Sequence, residues 1–159
     1  MDQTEGISCI NVSASKKFLV ICEKAQRAVW TVYEIQHQKV RRSLLKGDQE
    51  STAYYQSKEF VSVCFSPKNE KHHLLTLTGE PDYVLILWKW DSSKIQAMVS
   101  IGFQSMQNSP SFQCSFNPFD QNAVVVTGPN TYKYLKIQDT EFVIDHSQLN
   151  NIDRSQMSS

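Results

Sequence analysis

The sequence predicts an all-β protein assembled from repeated four-stranded antiparallel sheets, and three observations predict it. Short apolar runs rich in valine, isoleucine, phenylalanine and tryptophan alternate with polar turns along the 159 residues, which is the composition and period of half-buried strands. Proline-bearing turns recur at Ser66-Pro67 and Asn117-Pro118, and Ser13-Ala14 stands at the matching place in the first third of the chain. These anchors lie roughly 50 residues apart with four apolar runs to each interval, the signature of β-propeller blades. About three such sheets make an incomplete propeller, since closed rings typically use four to eight blades.

The elements follow in order. Ile7 to Val12 reads as a strand, Ser13 to Lys17 as a polar hairpin turn, and Phe18 to Cys22 as the second strand. After a polar break over Glu23 to Arg27, Ala28 to Ile35 alternates as a third strand, and Lys39 to Leu45 is a fourth. Lys46 to Lys58 is polar and aperiodic, so it reads as a linker or exposed loop anchored only by Tyr54 and Tyr55. The pattern then restarts: Glu59 to Phe65 alternates and stops at Ser66-Pro67, where proline denies the ladder a donor. Leu74 to Thr78 is the next strand of this second pass.

Tyr83 to Asp91 is the clearest strand of all. Alternation places Leu85, Leu87 and Lys89 on one side and Val84, Ile86, Trp88 and Trp90 on the other, so both faces are largely apolar. Ile95 to Ile101 completes the second pass. Gly102 to Ser109 is a polar connector, and the third pass runs through Ser111 to Phe116, Ala123 to Thr127, Thr131 to Ile137 and Glu141 to Ile144. The expected division is blade one over 1–45, a linker over 46–58, blade two over 59–101, a linker over 102–109, blade three over 110–144 and a polar tail over 145–159.

Superposing the passes puts Tyr33, Trp88 and Leu135 at one position of the third strand, about 20 residues after each anchor. The strand before each anchor carries a cysteine: Cys9, Cys64 and Cys114. The repeats are degenerate WD repeats. The residue after the tryptophan position is Glu34, Lys89 or Lys136 in place of aspartate, the Trp90-Asp91 dipeptide comes late, and the opening Gly-His is missing from all three units.

Sixteen Lys and Arg balance sixteen Asp and Glu, so there is no overall field to hold nucleic acid or an anionic membrane. The charge favours protein partners. The four cysteines, Cys9, Cys22, Cys64 and Cys114, are widely spaced and never form a Cys-x-x-Cys pair, which reads as buried free thiols in a reducing compartment. The acidic, polar start carries no secretory signal, and no apolar run approaches the roughly 18 residues of a membrane span. A soluble, intracellular chain without membrane insertion is expected.

Chemistry-bearing constellations are sparse. His72-His73 has no cysteine or carboxylate at ligand spacing and reads as a solvated turn, so no metal is expected. Cys64 sits between Val63 and Phe65, a setting for strand packing rather than for a reactive thiolate. The five glycines never cluster into a phosphate-cradling loop. No catalytic residue and no cofactor is expected. Lys39 to Lys46 gathers Lys39, Arg41, Arg42 and Lys46; Arg41 and Arg42 are candidates for an acidic partner surface, with a solvated, charge-protected edge strand as the alternative. Trp30, Trp88 and Trp90 are read as core rather than as an aromatic binding surface.

Several stretches carry a resemblance: Phe60-Val61-Ser62-Val63-Cys64-Phe65-Ser66-Pro67, Leu87-Trp88-Lys89-Trp90, Lys94 to Ile101, Gln113-Cys114-Ser115-Phe116-Asn117-Pro118 and Val126-Thr127-Gly128. Their order and approximate spacing from about Gly6 to Ile144 resemble the cilia- and flagella-associated WD-repeat proteins. That resemblance implies early blades of tandem β-propellers that precede a long coiled coil. It also implies a role in motile cilia as an axonemal scaffold that helps place or regulate inner dynein arms on doublet microtubules. Implied partners are other axonemal proteins, dynein-arm components, tubulin, or a chain completing the propeller; the implied location is the cytoplasm and the ciliary axoneme. The alternatives are a WD-repeat adaptor of a non-ciliary cytoplasmic complex and, more remotely, a small β-barrel or cysteine-dependent enzyme. Three blades leave two apolar sheet faces open, so a covering partner is expected, and aggregation when the chain is expressed alone.

Overall fold

The computed structural model describes residues 4–44, 50–101, 112–129 and 131–145. Among these described residues twelve strands form three separate four-stranded antiparallel sheets, each ordered as its strands occur in the chain. The first holds β1 (Gly6–Val12), β2 (Phe18–Lys24), β3 (Val29–Glu34) and β4 (Lys39–Ser43). The second holds β5 (Phe60–Phe65), β6 (His73–Thr78), β7 (Val84–Lys89) and β8 (Lys94–Ser100). The third holds β9 (Gln113–Asn117), β10 (Asp120–Gly128), β11 (Thr131–Gln138) and β12 (Glu141–Ile144). The all-β architecture of three such sheets is the one the sequence predicts.

The sheets stack face to face, with β1 against β5, β5 against β9, and β8 against β12. Neighbouring inner strands are also joined by polar bonds. Phe65 N donates to Asn11 Oδ1 at 3.1 Å, and Cys114 N donates to Ser62 Oγ at 3.0 Å. Each sheet therefore meets the next through side chains and a few bonds, never through a shared ladder.

Two apolar cores result, one on each side of the middle sheet. The first joins Val20, Cys22, Trp30 and Val32 to Leu74, Val84, Ile86 and Trp88. The second joins Leu75, Leu77, Leu85 and Leu87 to Cys114, Phe116, Val124, Val126 and Leu135. The alternation of β7 is thus split between them, Val84, Ile86 and Trp88 to one core and Leu85 and Leu87 to the other. Edge-on aromatic contacts lock the first core: Trp30 and Trp88 lie 5.5 Å apart, and Phe18 and Trp90 5.3 Å apart.

The structure corrects several local expectations. β7 ends at Lys89, and Trp90 opens a short 3-10 turn, Trp90–Ser92, closed by left-handed Ser93. The turn swings Trp90 onto Phe18 and Phe65 while its Nε1 donates to Glu70 O at 2.8 Å. The segment expected to be an exposed loop is packed where described. Ser51–Tyr54 forms a 3-10 turn with Ser51 and Thr52 buried, and Ser57 is fully buried. Of the two tyrosines Tyr55 anchors it, donating its hydroxyl to Ala28 O, whereas Tyr54 is exposed; Ser51 adds a bond from its hydroxyl to Ser93 O at 2.9 Å. Glu23 and Lys24, expected in a break, extend β2. The expected connector 102–109 and the tail beyond Asp145 lie outside the described residues.

Candidate functional site

The ladders align the three sheets residue by residue. In the middle sheet Phe65 pairs with Leu74, Leu74 with Trp88 and Trp88 with Ile95, a row across all four strands. In the third sheet the equivalent row is Phe116, Val124, Leu135 and Ile144. In the first it is Val12, Leu19, Tyr33 and Val40. Tyr33, Trp88 and Leu135 are therefore register equivalents, as the sequence alignment predicts. The cysteines are not: Cys64 pairs with Leu75 and Cys114 with Val126, one step apart relative to that row.

In the second and third sheets the row faces the sheet that precedes it. Phe65, Leu74 and Trp88 are buried against the first sheet, and Phe116, Val124 and Leu135 against the second. The row of the first sheet has no described sheet before it. Val12 and Val40 are exposed, Leu19 and Tyr33 half-buried, and the neighbouring Ile10 is 59% exposed. An apolar surface of the kind that is buried twice within the chain is thus presented once to solvent. At the other end of the stack, Val125, Tyr132 and Tyr134 alternate with residues of the second core and so belong to the outer face of the third sheet.

Arg41 and Arg42 both lie on β4, the outermost strand of the first sheet, and both are exposed. A register shift between Val32 and Tyr33 leaves Arg41 outside the ladder pairs, and its Nη1 meets Glu34 Oε2 at 3.0 Å. Arg42 pairs with Val32. Arg41 is thus partly engaged with its own sheet, which the spacing of charges in the sequence does not reveal.

The titratable groups do not converge. His72 Nδ1 meets Asp91 Oδ2 at 2.7 Å, while the adjacent His73 turns its Nδ1 to Asn69 Nδ2 at 3.1 Å. Burial, with Gln96 opposing, lowers the affinity of His73 for a proton. Among the described residues no three His, Cys, Asp or Glu side chains are grouped closely enough to hold a metal ion. The four cysteines are free thiols, but only Cys22 and Cys114 are buried; Cys9 and Cys64 are half-buried, so the expectation of four buried thiols fails for two. Burial pushes Cys22 and Cys114 well up, while a hydrogen bond from Cys22 holds Cys9 down. Trp30, Trp88 and Trp90 are all core residues, as expected.

The surface hollows among the described residues include two of note. One, lined by Glu50, Ser51, Tyr54, Lys94, Ile95 and Met98, lies beside β8. The other lies between the β1–β2 and β5–β6 turns, two loops some 50 residues apart in sequence that the sequence reading did not connect.

Cilia- and flagella-associated protein 57 of Mus musculus is 28% identical over 139 residues, covering 87% of this chain and 10% of its own length. Cilia- and flagella-associated protein 57 C of Tetrahymena thermophila is 29% identical over 150 residues, covering 92% and 11%. The chain is similar to cilia- and flagella-associated WD-repeat proteins. Protein 43 of that series from Chlamydomonas reinhardtii is 24% identical over 147 residues. The chain spans about a tenth of the length of these relatives. No protein-family model matches it.

Solved structures agree on the fold. The β-propeller domain of Cps50 (Swd1) from Myceliophteria thermophila superposes with a TM-score of 0.61 at 16% identity, covering 91% of this chain and 40% of that one. A chain of a mitotic checkpoint complex gives 0.65 at 10% identity, covering 87% and 38%. The three sheets are WD-repeat propeller blades, a sector of a propeller.

Proposed function

We propose that the chain is a non-enzymatic scaffold of motile cilia that binds other proteins through its blades. In this reading it resides on the axoneme, associated with doublet microtubules, and contributes to the placement or regulation of inner dynein arms. The similarity to cilia- and flagella-associated proteins supports the location. The observation that carries the scaffold role is the solvent-facing row Val12, Leu19, Tyr33 and Val40, equivalent to two rows that are buried against neighbouring sheets. A partner completing the propeller would cover it, and Arg41 and Arg42 on the outer strand would meet acidic neighbours such as tubulin.

The test is copurification with axonemal doublets from ciliated cells, followed by crosslinking to identify neighbours. Recovery with doublets and contacts to dynein-arm components are expected; a purely cytosolic pool with no axonemal neighbour would refute the reading. A second experiment addresses the arginines. R41E/R42E should weaken co-sedimentation with microtubules, and unchanged binding would return both residues to the role of a charge-protected edge.

A further inference from the structure

The chain carries no net charge, yet its positive charge is unevenly placed. The β1–β2 turn brings Lys16 and Lys17, and the β5–β6 turn brings Lys68 and Lys71, all four exposed. Ser15, Lys17, Lys68, Glu70, Lys71 and His72 are among the residues lining an open hollow of about 250 Å³ between the two turns. Glu70 is the carboxylate in its wall, and it is already engaged. Ser15 N donates to its Oε1 at 3.1 Å, and the Ser15 hydroxyl bonds to Oε2. His72 faces Asp91 at the rim. Lys17, Lys68 and Lys71 are exposed around the hollow, Glu70 clamps the two turns together, and Lys17 and Lys68 lie near the Glu70 and Asp120 carboxylates respectively.

An exposed aromatic side chain lies alongside. Lys68 Nζ donates to Phe119 O at 3.4 Å, which ties the hollow to the β9–β10 turn. Phe119 is 88% exposed, the most exposed of the large apolar side chains among the described residues, at the tip of that turn. Its backbone is held, since Phe119 N donates to Asn117 Oδ1 at 2.8 Å. Three successive hairpin turns thus present lysines, a polar hollow and then an aromatic ring along one end of the sector.

We propose that this end is a docking site for an acidic peptide segment, with glutamate or aspartate carboxylates at Lys17, Lys68 and Lys71 and an apolar side chain against Phe119. Charge complementarity selects the occupant. A nucleic acid requires a basic stripe that follows several phosphates in succession, whereas here Lys16, Lys17, Lys68 and Lys71 are grouped on two turns of a chain with no net charge. A peptide strand with a few carboxylates around one apolar residue matches both the extent of the charge and the single ring beside it. The site is separate from the β4 arginines and does not depend on where in the cell the chain resides.

The experiment uses the full chain and a fluorescein-labelled decapeptide of glutamates around a central phenylalanine, read by fluorescence anisotropy. Binding is expected, weakening as salt is raised because the charges are exposed. A glutamine version of the peptide should bind roughly tenfold or more weakly, and K17E/K68E/K71E should lose the glutamate peptide to a similar degree. K17Q/K68Q/K71Q serves as a milder variant should charge reversal disturb folding, and F119S should weaken the phenylalanine peptide while leaving an all-glutamate peptide unaffected. Equal affinity for the glutamate and glutamine peptides, no binding to either, undiminished binding by the lysine variants, or tighter binding of a single-stranded oligonucleotide than of the peptide would overturn the proposal.

Discussion

Trp88 and Tyr33 hold the same register position in two sheets and meet opposite fates, one fully buried and one half-exposed. Substitution separates position from environment. Trp88→Ala removes a ring packed edge-on against Trp30 and Phe60, with its Nε1 donating to Thr76 Oγ1 at 2.8 Å. It should cost about 3–5 kcal/mol in chemical denaturation. Tyr33→Ala, which opens no enclosed cavity, should cost about 1 kcal/mol. Equal costs would mean that the free face of the first sheet is already covered in solution. At this scale much was legible: the alignment of Tyr33, Trp88 and Leu135 follows from their distance to the turn anchors. The core place of Trp90 was legible too, but its backbone was not, because the Trp-Asp pair imitates the end of a repeat while the chain has already left the strand.

Among the elements, all twelve strands were visible as apolar runs, and their ends shift by one to three residues where polar side chains such as Glu23 and Lys24 continue a ladder. What escaped is whatever depends on pairing between strands. The four-residue rows require knowledge of register, which periodicity within one strand cannot supply. The packing of Tyr55 under Ala28 and the meeting of Ser15 with Glu70 join residues distant in sequence, and neither residue type announces its partner. A polar contact within the third sheet yields a pH dependence. Lys136 Nζ lies 2.6 Å from Asp120 Oδ2, and its hydrogen bond, helped by the backbone N–H of Asn122, holds the Asp120 carboxyl below its ordinary value of 3.8. A depressed carboxyl value stabilises the fold above the unfolded value, and this contribution is lost as pH falls through the folded one. Thermal melts should therefore show the parent chain ahead of D120N at neutral pH, modestly because the pair is exposed, and the gap should close in acid below 3.8. A gap that persists unchanged into acid would rule out the ion pair as its source.

For the whole molecule, the open row on the first sheet governs behaviour in solution. Exposed Ile10, Val12 and Val40 form part of an apolar surface without a described covering sheet, and burial of such surface is worth roughly 25 cal/mol per Å². The chain expressed alone should self-associate, and V12K/V40K should lower its apparent mass in sedimentation velocity and reduce dye binding to exposed apolar surface without loss of β structure. A monodisperse parent chain indifferent to these changes would contradict the expectation. The ladder rows have one more consequence. Because the rows of the second and third sheets point toward the sheet before them, the stack has a direction, and its two outer faces are unlike: Val12, Leu19, Tyr33 and Val40 at one end, Val125, Tyr132 and Tyr134 at the other. Unlike faces join head to tail, a heterologous contact, and the rotation added at each step then decides between a closed ring and an open filament.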